Sequence, residues 1–180
     1  MKFEMRKLVP YSGLIVIMAA LPAMRMGRIA FPALLIDELI IIWGYIASVS
    51  DLTVRKIPNG IVLAMLASWA FVMVIQILSG TESAAALIVH SASGFAAGGG
   101  LFLLVYVISR KGLGGGDVKF MAAAGLFLGL GGTVAAIFLG TMLAAIFGGV
   151  MILLKKINRK DAIPLAPFLY AGILVAVFIT

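Results

Sequence analysis

The fold is decided by residues 60–79, GIVLAMLASWAFVMVIQILS, a run of residues that contains no charged side chain. About twenty apolar residues are what an α-helix needs to cross the hydrocarbon core of a bilayer. Comparable apolar runs recur along the whole chain, which predicts an all-α, polytopic membrane helix bundle. We expect six to seven transmembrane helices, with spans near residues 9–24, 33–50, 60–79, 84–109, 118–131, 133–154 and 163–180.

The composition leaves little room for a soluble domain. Of the 180 residues, 63% are hydrophobic and 12% are charged, whereas soluble domains have roughly 45–50% apolar and about 25% charged residues. We therefore expect a single membrane domain over residues 1–180, with an N-terminal anchor helix in 1–32 and the functional core in 33–180. The chain has no cysteine and one histidine, His90, which argues against metal sites and thiol chemistry.

The net charge of +7 is interpreted as membrane topology. No basic stretch is long enough to form a soluble nucleic-acid surface, and short cytoplasmic loops of membrane proteins are enriched in Lys and Arg. With seven spans and a cytoplasmic N-terminus, all of the 14 basic residues except Arg25 and Arg28 lie on the cytoplasmic side. This predicts a multi-pass protein of the cytoplasmic (inner) cell membrane, surrounded by lipid.

The acidic side chains are few, and the predicted topology divides them between the two membrane faces. The chain has 7 of them, namely Glu4, Asp37, Glu38, Asp51, Glu82, Asp117 and Asp161. On this topology Asp51, Asp117 and Asp161 lie on the cytoplasmic side. Towards the outside lie Asp37, Glu38 and Glu82, and we expect a structural role for Asp37 and Glu38.

Asp51 and Asp117 stand in unusual local contexts. Asp51 closes a predicted span, where a carboxylate at a helix end facing water is one interpretation. Asp117 directly follows residues 112–116, GLGGG, and four glycines in five residues do not make a stable helix. We expect an irregular backbone there and a helix that starts at or near Asp117, so a simple N-cap is the alternative for this residue.

Two aspartates at one membrane face suggest a hydrolytic pair. An aspartyl protease needs two carboxyl groups close enough to share a proton, because one deprotonates the attacking water while the other protonates the peptide. Repulsion between like charges keeps one of the two groups protonated. A serine mechanism would need a neighbouring base, and His90 is predicted to lie mid-span, towards the outside, as a packing residue.

Three motifs, in this order, carry a family resemblance. They are Asp51 with residues 55–59 (RKIPN), residues 114–119 (GGGDVK), and residues 163–168 (IPLAPF), which open the last span. In combination they resemble the type IV prepilin peptidases and the archaeal preflagellin peptidases, members of the GxGD class of intramembrane aspartyl proteases. The resemblance covers roughly residues 33–180, which the family identifies as the peptidase core.

The resemblance implies roles for these positions. Asp51 and Asp117 would be the catalytic pair, at the cytoplasmic face, with no metal and no cofactor. The resemblance also implies supporting roles for other residues of the three motifs: Gly114, Gly116, Lys119, Pro58, Asn59, Pro164 and Pro167. Substrates of the family are prepilin-like or archaellin-like precursors, cut between a short basic leader and an apolar helix. Large members also N-methylate the product and carry an N-terminal cysteine-containing region, so the absence of cysteine predicts a short form without methyltransferase activity.

Two other functions remain open from the residues alone. A small cation- or proton-coupled transporter could use Asp51 and Asp117 as binding groups, but it predicts acids along a path through the membrane. A membrane scaffold would account for the many glycines, which allow close helix packing in lipid. It would leave the paired aspartate motifs without a purpose.

Overall fold

The structure is a computed structural model that describes residues 31–80, 83–109, 112–158 and 161–179. Within these ranges the chain is all-helical, which confirms the predicted class. The helices are α1 (Phe31–Val54), α2 (Asn59–Ser79), α3 (Ala84–Ile108), α4 (Gly115–Leu153) and α5 (Ala166–Ile179). The predicted anchor span 9–24 lies outside the described residues. So do charged residues used for the predicted topology: Lys2, Glu4, Arg6, Lys7, Arg25, Arg28, Glu82, Arg110, Lys111, Arg159 and Lys160.

The helices have the length and the surface of membrane spans. α1 to α4 are each long and apolar enough to cross a membrane, and α5 is a shorter apolar helix. At 1.5 Å per residue, the 24 residues of α1 extend about 36 Å. Large apolar side chains such as Leu63, Phe71 and Leu103 are exposed on the outside of the bundle. Such a surface is expected where lipid, rather than water, surrounds the protein.

α4 contains a sharp break at Gly129. This residue has φ 62° and ψ −174°, a backbone conformation that favours glycine. The carbonyl of Met121 and Cγ2 of Thr133 both lie within 4 Å of the position a Cβ of Gly98 would take, so the chain doubles back between them. We predicted a boundary between two spans at Gly131 and Gly132; the structure has it at Gly129.

Backbone contacts between small residues hold the bundle together. A Cβ on Gly94 would collide with the backbone of Gly125 and of Gly129, so α3 and α4 touch main chain to main chain. Gly172 of α5 packs in the same way on Ala136, in the second half of α4. Close approach of this kind is how apolar helices associate in lipid, where burial of apolar surface alone provides little driving force.

One end of the bundle brings three helix ends together. The C-terminus of α1 and the N-termini of α4 and α5 meet there, and Ile57 in the loop after α1 is buried among them. Below this end, α1 packs closely on α5, because Gly44 leaves room for the ring of Tyr170. α1 is also tied to α2 by a hydrogen bond from Trp43 Nε1 to Ser68 Oγ at 2.9 Å.

Candidate active site

Asp51 lies in the last turn of α1 and is 8% exposed. Its Oδ2 accepts a hydrogen bond from the backbone N–H of Ala166, 115 residues further along the chain, at 3.1 Å. Ala166 is the first residue of α5. The N–H groups of a first helical turn have no partner within the helix and carry partial positive charge. Asp51 therefore caps α5 from another helix, and this contact holds its carboxylate in place.

Asp117 lies in the first turn of α4. Its backbone N–H donates to the carbonyl of Gly114 at 3.1 Å. The helix begins at Gly115, so Gly115 and Gly116 are helical and only the preceding glycines belong to the irregular segment that we predicted. The Oδ1 atom of Asp117 is buried and has no hydrogen-bond partner among the described residues. One oxygen of this carboxyl group is therefore left for a water, a substrate or the other aspartate.

Gly114 provides space for the carboxyl group of Asp117, and Gly116 provides space for Ile57. A Cβ on Gly114 would stand 2.8 Å from Asp117 Oδ2. A Cβ on Gly116 would stand 3.3 Å from Cβ of Ile57 and 3.4 Å from its backbone N and O atoms. Neither glycine has a positive φ, so what each position requires is room for its neighbours.

The two aspartates line one cavity of about 310 Å³. The structure thus brings together two residues that lie 66 positions apart in the sequence. The other lining residues are Arg55, Gly112, Leu113, Gly114, Ala162, Ile163, Pro164 and Leu165. The cavity thus combines apolar side chains with two acidic residues and one basic residue.

The remaining predicted residues lie around this cavity in different roles. Pro164 lines it, whereas Pro167 lies in the first turn of α5 and is not among the lining residues. Pro58 is the N-cap residue of α2, with φ −61°, and Asn59 is its first helical residue. The side chain of Lys119 donates to Oδ1 of Asn59 at 3.0 Å, across 60 residues of sequence.

Several contributors to the cavity were not predicted from the sequence. Arg55, Leu113, Ile163 and Leu165 lie inside or beside the predicted motifs, so their positions were visible but their orientation was not. The donor N–H of Ala166 could not be predicted from the sequence, because every residue except proline has a backbone N–H group. No group of three or more His, Cys, Asp or Glu side chains capable of holding a metal ion occurs in the described ranges.

Membrane-length apolar helices that end in two carboxyl groups at one cavity are typical of intramembrane aspartyl proteases. Comparison with known proteins gives the particular family. The chain belongs to the type IV leader peptidase family, whose model matches residues 39–152. This range contains both aspartates and the glycine motif, and it ends before Pro164.

Two relatives are both named prepilin leader peptidase/N-methyltransferase. The protein from Bacillus subtilis (strain 168) is 32% identical over 147 residues, which are 81% of this chain and 54% of that protein. The protein from Xanthomonas campestris pv. campestris is 31% identical over 68 residues, 38% of this chain and 24% of its own length. The chain thus spans about half the length of the first relative. No solved structure matches it significantly.

Membership of a protease family disfavours the transporter alternative. The placement of the acids agrees with this. Asp51 and Asp117 lie at one end of the bundle, while Asp37 and Glu38 lie about 20 Å away along α1. The stretch of α1 between them, residues 39–50, contains no charged side chain, so no series of acids crosses the bundle along this helix.

Proposed function

We propose that this protein removes the leader peptide from type IV prepilin-like or archaellin-like precursors, with Asp51 and Asp117 as its catalytic pair. The observation that carries the proposal is the cavity that both carboxyl groups line, at the meeting point of α1, α4 and α5. The names of the two relatives support prepilins as the substrate class. The proposal concerns only the peptidase activity in those names.

The proposed chemistry uses a water molecule held between the two carboxyl groups. One carboxylate removes a proton from the water, and the resulting hydroxide attacks the carbonyl carbon of the scissile bond. The other carboxyl group protonates the carbonyl oxygen as the hydroxide adds, which gives a tetrahedral intermediate. The proton taken from the water then passes to the amide nitrogen, so that the C–N bond breaks and a free amine leaves. The hydrogen bond from Ala166 supports the charged form of Asp51. Oδ1 of Asp117 is buried and accepts no hydrogen bond among the described residues, so a negative charge there is less well stabilised. Asp117 is therefore favoured as the group that holds the shared proton.

We place this site at the cytoplasmic face of the cell membrane, in a multi-pass protein whose N-terminus is also cytoplasmic. We keep the predicted count of six to seven spans, and the doubling back of α4 at Gly129 supports it by dividing that helix into residues 115–128 and 130–153. Residues 115–128 and α5 have 14 residues each, fewer than the about twenty of a full span, so these two segments would cross only part of the bilayer. The basic leader of the substrate would approach from the cytoplasm, with its apolar helix against the bundle.

The test is cleavage of a prepilin-like precursor co-expressed with single variants. Asp51→Asn and Asp117→Asn keep the size of the side chain but cannot exchange protons, so each should slow cleavage by at least about a hundredfold. Asp161→Asn is the matched control, because the Asp161 carboxylate is exposed, accepts from the backbone N–H of Asn158 at 2.7 Å, and is not among the residues that line the cavity. Normal processing by either dyad variant would show that the assignment is wrong.

A further inference from the structure

Residues 56–59, the last part of the loop after α1 and the first residue of α2, are held by both helices that carry the aspartates. We call this segment the strap. On the α1 side, Ser50 Oγ donates a hydrogen bond to the carbonyl of Lys56 at 2.8 Å. Ser50 directly precedes Asp51, so the strap is fixed to the chain one residue away from that carboxyl group.

The α4 side holds the strap at two points, one on either side of Asp117. Gly116, which precedes Asp117, lies against Ile57 so closely that a Cβ would stand 3.3–3.4 Å from its atoms. Two residues after Asp117, Lys119 donates from Nζ to Oδ1 of Asn59 at 3.0 Å. The strap therefore connects the immediate neighbours of both aspartates.

The strap has little freedom to adjust. Ile57 is buried in the core, and Pro58 has its φ fixed by the pyrrolidine ring. Asn59 already belongs to α2, so its side chain projects from a rigid element. Because the strap is short and its residues are held in this way, a displacement at its α1 end shifts its α4 end as well.

We propose that the strap sets the separation of the two catalytic carboxyl groups, with Lys119 and Asn59 as positioning residues that act through Asp117. This inference rests on the proposed function. The bond from Lys119 to Asn59 is exposed and so contributes little to folding. Its importance is geometric, because two carboxyl groups share a proton and a water only at one narrow range of distances.

The proposal is tested with a double-mutant cycle on precursor cleavage, using Lys119→Met, Asn59→Leu and the double variant. Each single change should lower kcat about tenfold with KM little changed, since a misplacement of about 1 Å can cost up to a hundredfold. The double variant should be no slower than either single one, because both changes remove the same contact. Asn59→Asp keeps an acceptor for Lys119 and should retain activity.

Controls separate this role from general effects. Lys156→Met removes an exposed lysine at the same end of the bundle and should leave cleavage unchanged. Ser50→Ala should slow cleavage, whereas Ser93→Ala, which removes a similar bond from Ser93 Oγ to the carbonyl of His90 on α3, should not. The melting temperature of each purified variant should stay at the wild-type value, which excludes unfolding as the cause.

Two results would overturn the strap proposal. One is normal kcat in Lys119→Met and Asn59→Leu while Asp51→Asn is inactive, which would leave the proposed function standing. The other is a double variant whose loss is the product of the single losses, about a hundredfold, which would mean that the two side chains act separately. If Asp51→Asn itself cleaves the precursor normally, the proposed function fails and no dyad exists for the strap to position.

Discussion

Replacing Gly98 by alanine should loosen the packing between α3 and α4. A Cβ at this position would stand 2.9 Å from the carbonyl carbon of Met121, with the carbonyl oxygen closer still and Cγ2 of Thr133 at 3.3 Å. The obstacle is backbone, so no rotamer change can relieve it, and the two helices must move apart. Overpacking of this kind costs about 1–3 kcal/mol, against which the higher helix propensity of alanine returns up to about 1 kcal/mol.

A matched control lies two residues further along the same helix. A Cβ on Gly100 would meet nothing within 4 Å. Gly100→Ala therefore gains helix propensity without a clash and should stabilise the protein by up to about 1 kcal/mol. The two variants have the same composition and differ only in what the new methyl group meets. The free energy of unfolding should differ between them by about 2 kcal/mol.

The measurement is thermal unfolding of both purified variants in the same detergent or lipid, together with cleavage activity. A difference of about 2 kcal/mol corresponds to roughly 4–8 °C in melting temperature for a chain of this size. Activity should fall as well in Gly98→Ala, because Met121 lies one turn after Asp117 on α4 and moves with it. Equal melting temperatures for the two variants would refute the backbone contact between α3 and α4.

Two further predictions concern the site and the topology. Gly114→Ala should lower kcat at least about tenfold without lowering the melting temperature, because its Cβ would stand 2.8 Å from Oδ2 of Asp117. Gly115→Ala meets nothing within 4 Å and should keep more activity; equal activity in the two variants would contradict the crowding argument. Since the chain has no cysteine, Lys156→Cys and Ser79→Cys provide single labelling sites at opposite ends of the bundle. A membrane-impermeant thiol reagent added to intact cells should label Ser79→Cys and not Lys156→Cys, and the reverse would overturn the proposed orientation.

The first three described helices could be predicted within a few residues. The predicted spans 33–50, 60–79 and 84–109 correspond to α1, α2 and α3. This works because the thickness of the hydrocarbon core sets the length of a predominantly apolar run, and polar loops with charged or turn residues end it. α1 continues to Val54, beyond the predicted end of its span at residue 50.

The sequence predicted that the chain breaks between two spans in this region, but it did not predict that the break lies at Gly129. Residues 129–132 contain three glycines, and any of them tolerates a positive φ. Which one adopts it depends on packing from elsewhere in the chain. In the structure the imidazole of His90 lies against Gly129, where any side chain would collide with it. That contact joins residues 39 positions apart, so the local sequence around Gly129 does not predict it.

The aspartates themselves were predictable from motif context, whereas the contacts that fix them were not. Asp51 and Asp117 could be named because carboxylates are rare in this chain and these two stand beside distinctive loops. The packing of Gly116 on Ile57 depends on backbone geometry between distant segments. The sequence shows a small residue at such a position, but not which neighbour requires it to be small.

The N-terminus of α5 holds the carboxylate of Asp51, although α5 is a short helix. With 14 residues it is the shortest of the described helices, and Ala166 lies beyond the range that the family model matches. Its N-terminus nevertheless provides the donor for Asp51, through an N–H group that no residue inside the helix can satisfy. An apolar bundle has few means of holding a carboxylate at a defined position, and a helix N-terminus does so without adding another charge. The proposed active site is therefore the junction of three helix ends, in which α1 and α4 would supply the carboxyl groups and α5 holds one of them.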